Sequence, residues 1–122
     1  MRYLLDSHAL LWWVSGARFD RRARRLIEHA PVMVSAVTPW ELGIKHAAGK
    51  LRFERPIREE VELADFTPLA ITFEHAERAA RLPLHHRDLF DRMLIAQAQL
   101  ERLTIVTRDE MFDAYDVDVL HC

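Results

Sequence analysis

The stretch DLFDRMLIAQAQLERLTIVTRD, residues 88–109, decides the fold. It reads as a helix from Asp88 to about Arg102 that feeds the clearest strand of the chain, Thr104-Ile105-Val106, with an acid, Asp109, just beyond it. A helix that feeds a parallel strand runs back across the sheet, so Asp91 on its first turn starts at the edge where the strands end. Working toward the C-terminus, Asp109 to Tyr115 predicts a helical turn and Val117 to Leu120 a last strand. In the other direction, Leu84 to Arg87 reads as a polar loop, and Thr72 caps a helix that Pro83 ends. Leu69-Ala70-Ile71 reads as a short strand, and Pro56 to Phe66 as a helix with Ile57, Val61 and Ala64 on one face. Thr38-Pro39-Trp40-Glu41 opens a helix that stops at Gly49, and Val32-Met33-Val34 is a strand. Asp20 caps an arginine-rich helix, Ser7 to Val14 forms a short helix closed near Gly16, and Arg2 to Leu5 is a buried strand. Apolar strands alternating with helices predict one three-layer α/β/α domain over residues 1–122, with a mostly parallel sheet covered on both faces.

Composition narrows the function classes. Half of the 122 residues are apolar, enough for one core, and no apolar run approaches the ~20 residues of a membrane span. Asp6 interrupts any signal-peptide pattern, and the single Cys122 fits a reducing compartment, so a cytoplasmic protein without membrane contact is expected. A net charge of −2 supplies no general attraction to nucleic acid. Five arginines nevertheless fall at Arg18, Arg21, Arg22, Arg24 and Arg25. They read as a phosphate-contacting patch or as a solvated helix face, because Ala23, Leu26, Ile27 and Ala30 form an apolar stripe that turns them outward.

Four of the nineteen carboxylates have positions that set them apart. Asp6 directly follows the first strand, Glu41 lies at the start of the helix after the second, Asp91 starts the helix before the third clear strand, and Asp109 follows that strand. A parallel sheet brings Asp6, Glu41 and Asp109 to its carboxyl edge, where Asp91 joins them. Packed carboxylates repel one another, so a cluster of this kind makes a poor stabilising device and a good site for a hard cation. A bound cation activates water and offsets the charge that builds on a phosphodiester. Such chemistry needs no nucleophilic side chain, and no convincing Ser-His-Asp or Cys-His arrangement is present. Each acid also has a local alternative. Thr38 and Glu41 fit a capping box, Asp88 is an N-cap with Asp91 near the positive helix end, and Asp109 fits a cap of the turn after it. Asp6, directly behind a buried strand, has no obvious partner nearby.

Four blocks in order and spacing resemble the PIN-domain nucleases, especially the VapC-like toxins of toxin–antitoxin pairs. They are Leu4 to Trp13 (LLDSHALLWW), Ser35 to Lys45 (SAVTPWELGIK), Leu82 to Ala98 (LPLHHRDLFDRMLIAQA) and Thr104 to Asp109 (TIVTRD), together spanning nearly the whole chain. One departure is Leu89, where related toxins often carry proline, which loosens the expected helix start. The resemblance implies an endoribonuclease in which Asp6, Glu41, Asp91 and Asp109 hold Mg2+ or Mn2+. Asp6 and Asp91 are then direct ligands, Ser7 and Thr107 support them through their hydroxyls, and Asp88 acts as a cap. It further implies a homodimer, and a cognate antitoxin whose C-terminal segment presents an arginine to the carboxylates.

The seven histidines add little at this level. Adjacent His85 and His86 lack the spacing of a paired zinc site and read as loop or substrate-contacting residues, while His8 packs within its helix. Trp12, Trp13 and Trp40 read as core or dimer-contact residues. Two other function classes compete: a magnesium-binding phosphoacceptor domain of receiver type, and a non-catalytic PIN-like scaffold for RNA or a partner. The first expects an acidic pair after the first strand and a lysine after the last, whereas Asp6 stands alone and the only lysines are Lys45 and Lys50. The second expects gaps among the four acids.

Overall fold

A computed structural model describes residues 1–122. Its elements run β1 (Tyr3–Leu5), α1 (Ser7–Ser15), α2 (Arg21–Glu28), β2 (Val32–Ser35), α3 (Val37–Ala47), α4 (Ile57–Leu63), β3 (Thr67–Leu69), α5 (Phe73–Arg81), α6 (Leu89–Glu101), β4 (Thr104–Thr107), a 3-10 turn (Glu110–Ala114) and β5 (Val119–His121). The strands form one sheet in the order β3-β2-β1-β4-β5, and all four pairings are parallel, with Tyr3 beside Val32 on one flank and Thr104 on the other. Every strand therefore ends at the same edge.

Side chains alternate across a strand, and this divides the core in two. Tyr3, Leu5, Val32, Val34 and Val106 face a layer containing Leu10, Ala23, Ile27, Ile57 and Val61 from α1, α2 and α4. Leu4 and Ile105 face the opposite layer, with Leu94, Ile95 and Ala98 of α6 and Phe112. Helices thus cover both faces of the sheet, the three-layer arrangement the strand–helix alternation predicts. No helix is long and apolar enough to cross a membrane.

Several boundaries differ from the sequence reading, each for a physical reason. The third strand is Thr67–Leu69 rather than Leu69–Ile71. It lies at the sheet edge, where Pro68 costs less than in a central strand. The last strand is Val119–His121, two residues later than expected at its start. Helix α3 begins at Val37 with Ala36 as its N-cap, and the Ser35 hydroxyl accepts the Val37 N–H at 3.1 Å. Thr38 is therefore not the cap, and the Thr38–Glu41 capping box does not form. Pro39 falls in the first turn, where its missing donor has no partner to lose. Leu89 does not loosen α6: Asp88 caps it through the Asp91 N–H at 3.0 Å, and the 77% exposed Leu89 occupies the first helical position.

Candidate active site

Asp6 is the first residue past β1 and the N-cap of α1. One of its oxygens, Oδ1, accepts the Ala9 N–H at 2.8 Å, and the other accepts the hydroxyl of Thr107 at the end of β4. The same hydroxyl oxygen accepts the Asp109 N–H at 3.0 Å, so Thr107 joins the two strand ends. Asp6 is 5% exposed. Burial raises its pKa most; the bonds from Thr107 and Ala9 oppose this, and the nearby charge of Glu41 adds to the rise.

Glu41 sits one turn into α3 and is 4% exposed. Its Oε2 accepts from Lys45 Nζ at 2.8 Å, one helical turn further on. Its Oε1 is buried and has no hydrogen-bond partner. An orphaned carboxylate oxygen calls for an explanation, and an ion is one that would fit.

Asp91 lies on the first turn of α6, and its Oδ2 is 2.7 Å from His86 Nε2. Its pKa is pushed up to about 7, first by burial and then by Asp88; the bond and charge of His86 pull it down, and Asp6 pushes it up again. Asp109 caps the 3-10 turn through Oδ1, which accepts the Met111 N–H at 2.9 Å. Its Oδ2 lies 3.8 Å from His86 Nε2, and the side chain is 42% exposed. Asp6 thus feels both Glu41 and Asp91, while Asp91 and Asp109 share His86. At the carboxyl edge Asp91 and Asp109 stand together at His86, Asp6 is tied to the Asp109 backbone through Thr107, and Glu41 is linked to the set by its charge on Asp6.

His86 is the residue whose place in the site the sequence did not reveal. The path of its loop is fixed from a distance. Tyr115 Oη accepts the N–H groups of His85 (3.1 Å) and His86 (2.8 Å) and donates to the Pro83 carbonyl at 2.7 Å. The buried Arg92 guanidinium donates to the carbonyls of Ala79, Leu82, Pro83 and His86 at 2.9–3.3 Å. The His86 ring stands edge-on to the fully buried Phe112, with centroids 6.3 Å apart.

The remaining candidates divide. Ser7 is buried and makes no hydrogen bond to any of the four acids, whereas the Thr107 hydroxyl bonds Asp6 and the Asp109 N–H. Asp88 acts as a cap. Trp13 packs in the core against Phe19 and Phe66, Trp12 carries the Arg108 guanidinium 3.7 Å above its ring, and Trp40 is 63% exposed against Phe90. The arginine cluster splits along α2. Arg18 and Arg21 line a cleft of about 670 Å³ with Arg108 and Cys122, at the edge that holds the acids. Arg22 and Arg25 sit instead near Met1, Tyr3 and Pro31, at the opposite edge.

Buried carboxylates of raised pKa, one oxygen without a partner and an imidazole among them form a donor set suited to a divalent cation. The sequence model of the PIN domain matches residues 3–118. The chain belongs to the PIN domain family, a family of nucleases. Comparison with curated protein sequences found no match. Among solved structures, a toxin–antitoxin complex from Klebsiella pneumoniae is similar at 25% identity and a TM-score of 0.66, covering 97% of this chain and 95% of that one. VapBC2 from Rickettsia felis, bound to a DNA fragment from its promoter, shares the fold at 13% identity and a TM-score of 0.71, covering 99% and 98%. FitAcB from Neisseria gonorrhoeae does so at 22% identity and a TM-score of 0.69, covering 98% and 96%.

Proposed function

We propose that this protein is the toxin of a toxin–antitoxin pair, an endoribonuclease that hydrolyses RNA phosphodiesters with Mg2+ or Mn2+ held by Asp6, Glu41, Asp91 and Asp109. The observation that carries the proposal is the set of acids at one sheet edge, Asp91 and Asp109 at His86 and Asp6 beside them, with a buried, unpaired Glu41 oxygen on a side chain whose charge acts on Asp6. Without a cation, burial and neighbouring charge raise the pKa of Asp6 and Asp91, and holding them ionised works against the fold. A bound divalent ion supplies a water of lowered pKa and offsets negative charge on the scissile phosphate. The chain's own part is placement. Thr107 fixes Asp6 relative to Asp109, and Lys45 holds Glu41 by one oxygen and leaves the other free. Arg18, Arg21 and Arg108 offer a cationic wall for flanking phosphates beside the acidic centre.

The partners follow from the family and from the surface. The structure from Klebsiella pneumoniae is a toxin–antitoxin complex, and by that likeness an antitoxin segment would place an arginine among the carboxylates of this chain. A homodimer is favoured by an apolar cleft of about 680 Å³ that includes Trp40, Ile71, Leu84, Leu89, Phe90 and Met93, several of them exposed. A receiver-type reading gains nothing, since Lys45 is engaged by Glu41. The test is cut-site mapping on total cellular RNA with added metal, in the cytoplasmic pH range. Asp6→Asn and Asp91→Asn are expected to abolish cleavage while the circular dichroism stays native. Wild-type cleavage by either variant refutes the role of that acid, and uptake of a phosphate mimic on one aspartate without RNA cleavage refutes the nuclease.

A further inference from the structure

The feature that four acids alone do not explain is the care with which His86 is aimed at them. Its Nε2 is 2.7 Å from Asp91 Oδ2 and 3.8 Å from Asp109 Oδ2, and one donor atom from each of the three residues lies within 4.8 Å of the other two. Adjacent ligand atoms of a six-coordinate ion with bonds of about 2.1 Å stand about 3.0 Å apart. The two measured separations bracket that value, so the three donors need to shift by only roughly 1 Å to share one ion. A hydrogen-bonding histidine needs no more than an exposed loop. This one is set on a loop whose backbone carries six hydrogen bonds from or to Arg92 and Tyr115, beginning with those at Leu82 and ending with those at His86. Its ring is flanked by Phe112. Glu41 Oε1, buried and unpartnered on a side chain close enough to raise the pKa of Asp6, whose charge in turn acts on Asp91, is an independent sign that a ligand belongs at this edge.

We propose that His86 is a direct ligand of the metal centre through Nε2, and that its imidazole makes the centre favour first-row transition ions such as Mn2+ over Mg2+. The proposal rests on the metal-centre reading above and specifies its donor set. Mg2+ takes oxygen donors almost exclusively, whereas transition ions accept imidazole readily. Replacing one oxygen by a nitrogen penalises the first and not the second. The reading in which His86 only orients Asp91 by a hydrogen bond requires an all-oxygen ion and no nitrogen–metal contact.

The test uses the full chain, freed of metal with chelator and titrated separately with MnCl2 and MgCl2. Binding is followed by calorimetry and by the rise in melting temperature, and pulsed electron paramagnetic resonance on the Mn2+ form detects a coordinated nitrogen. Mn2+ is expected to bind at least ~10-fold more tightly than Mg2+ and to show nitrogen coupling. His86→Ala is expected to lose that coupling and at least ~10-fold in Mn2+ affinity, the lower end of the cost of losing even an indirect ligand partner, with Mg2+ affinity changing far less. The loop clamp uses the backbone of His86, so the variant keeps it; if His86→Ala fails to fold, His86→Gln is measured instead. Bound Mn2+ without nitrogen coupling, or equal Mn2+ affinity in the variant, overturns the role of His86 and leaves the carboxylate centre standing. Failure of both ions to bind at millimolar concentration overturns both readings. Asp91→Asn separates the two levels, since it is expected to weaken both ions together.

Discussion

Asp91→Asn is expected to stabilise the metal-free protein, and to do so only above about pH 5. In the folded chain the Asp91 carboxyl is pushed from its ordinary 3.8 up to about 7. The sign follows from linkage. A raised folded pKa gives stability that is full below the unfolded value of 3.8 and is lost as pH rises through about 7. Three pKa units correspond to a ceiling of about 4 kcal/mol. His86 loses its charged partner in the variant, which narrows the gain at pH 8 to roughly 2–4 kcal/mol. Urea unfolding in chelator, at intervals from pH 4 to pH 8, measures the difference between wild type and variant. The expected difference is small at pH 4 and grows through pH 7 in favour of asparagine. Saturating Mn2+ then closes or reverses the gap, because ion at ~1,000 times the wild-type dissociation constant adds about 4.1 kcal/mol to the wild type and less to the weaker-binding variant. A stability difference that does not depend on pH, or a variant less stable than wild type at pH 8 without metal, refutes the claim that repulsion and burial strain this site.

The other expectations concern neighbours of the cluster. Glu41→Gln removes a buried charge with an orphaned oxygen and should leave metal-free melting unchanged or higher, while abolishing the melting shift on adding metal; a drop in metal-free melting contradicts this. Thr107→Val cuts the link between Asp6 and the Asp109 amide, so cleavage should fall ~10–100-fold, with Thr107→Ser restoring most of it; equal activity in the two variants counts against a role for the hydroxyl. Arg92→Lys cannot span four carbonyls, and unpaired buried carbonyls should cost about 3 kcal/mol in chemical denaturation; a loss below ~1 kcal/mol shows that water replaces the guanidinium. Arg18→Gln and Arg21→Gln should each lower the salt slope of RNA binding by about 1, and Arg22→Gln with Arg25→Gln should not; the reverse pattern moves the RNA path to the other edge.

How much of this was legible varied with the distance over which each feature is determined. The parallel sheet and the positions of the strand-end acids could be read because they rest on local pattern, strand by strand. Glu41 could not be settled locally, since Thr38-Pro39-Trp40-Glu41 satisfies the capping pattern as well as a ligand role. The choice fell to Ser35, whose hydroxyl meets the Val37 N–H, so that α3 starts one residue before Thr38 and Glu41 is left pointing inward with an unpaired oxygen. Pro68 disguised β3, because proline argues against a strand unless the strand is known to be an edge. His86 was the most hidden. Its place depends on Tyr115, 29 residues away, and on the guanidinium of Arg92, which nothing in the local sequence marks as buried. A buried arginine in an amphipathic helix is a signal, but only burial reveals it.

The geometry also explains how a fold tolerates so much negative charge at one edge. Two of the acids divide their oxygens between duties. Asp6 gives Oδ1 to the first turn of α1, and Asp109 gives Oδ1 to the turn after β4; in each case Oδ2 is left facing Thr107 or His86. Asp91 has its own N–H capped by Asp88, which frees both of its oxygens from that task. The N-termini of α1 and α6 bring their positive ends to the same edge, which partly offsets the carboxylates before any ion arrives. Capping and site-building are therefore not rival accounts of these residues. An aspartate that closes a helix with one oxygen is held rigid enough to present the other, and the helix it closes supplies part of the field in which that other oxygen can stay charged.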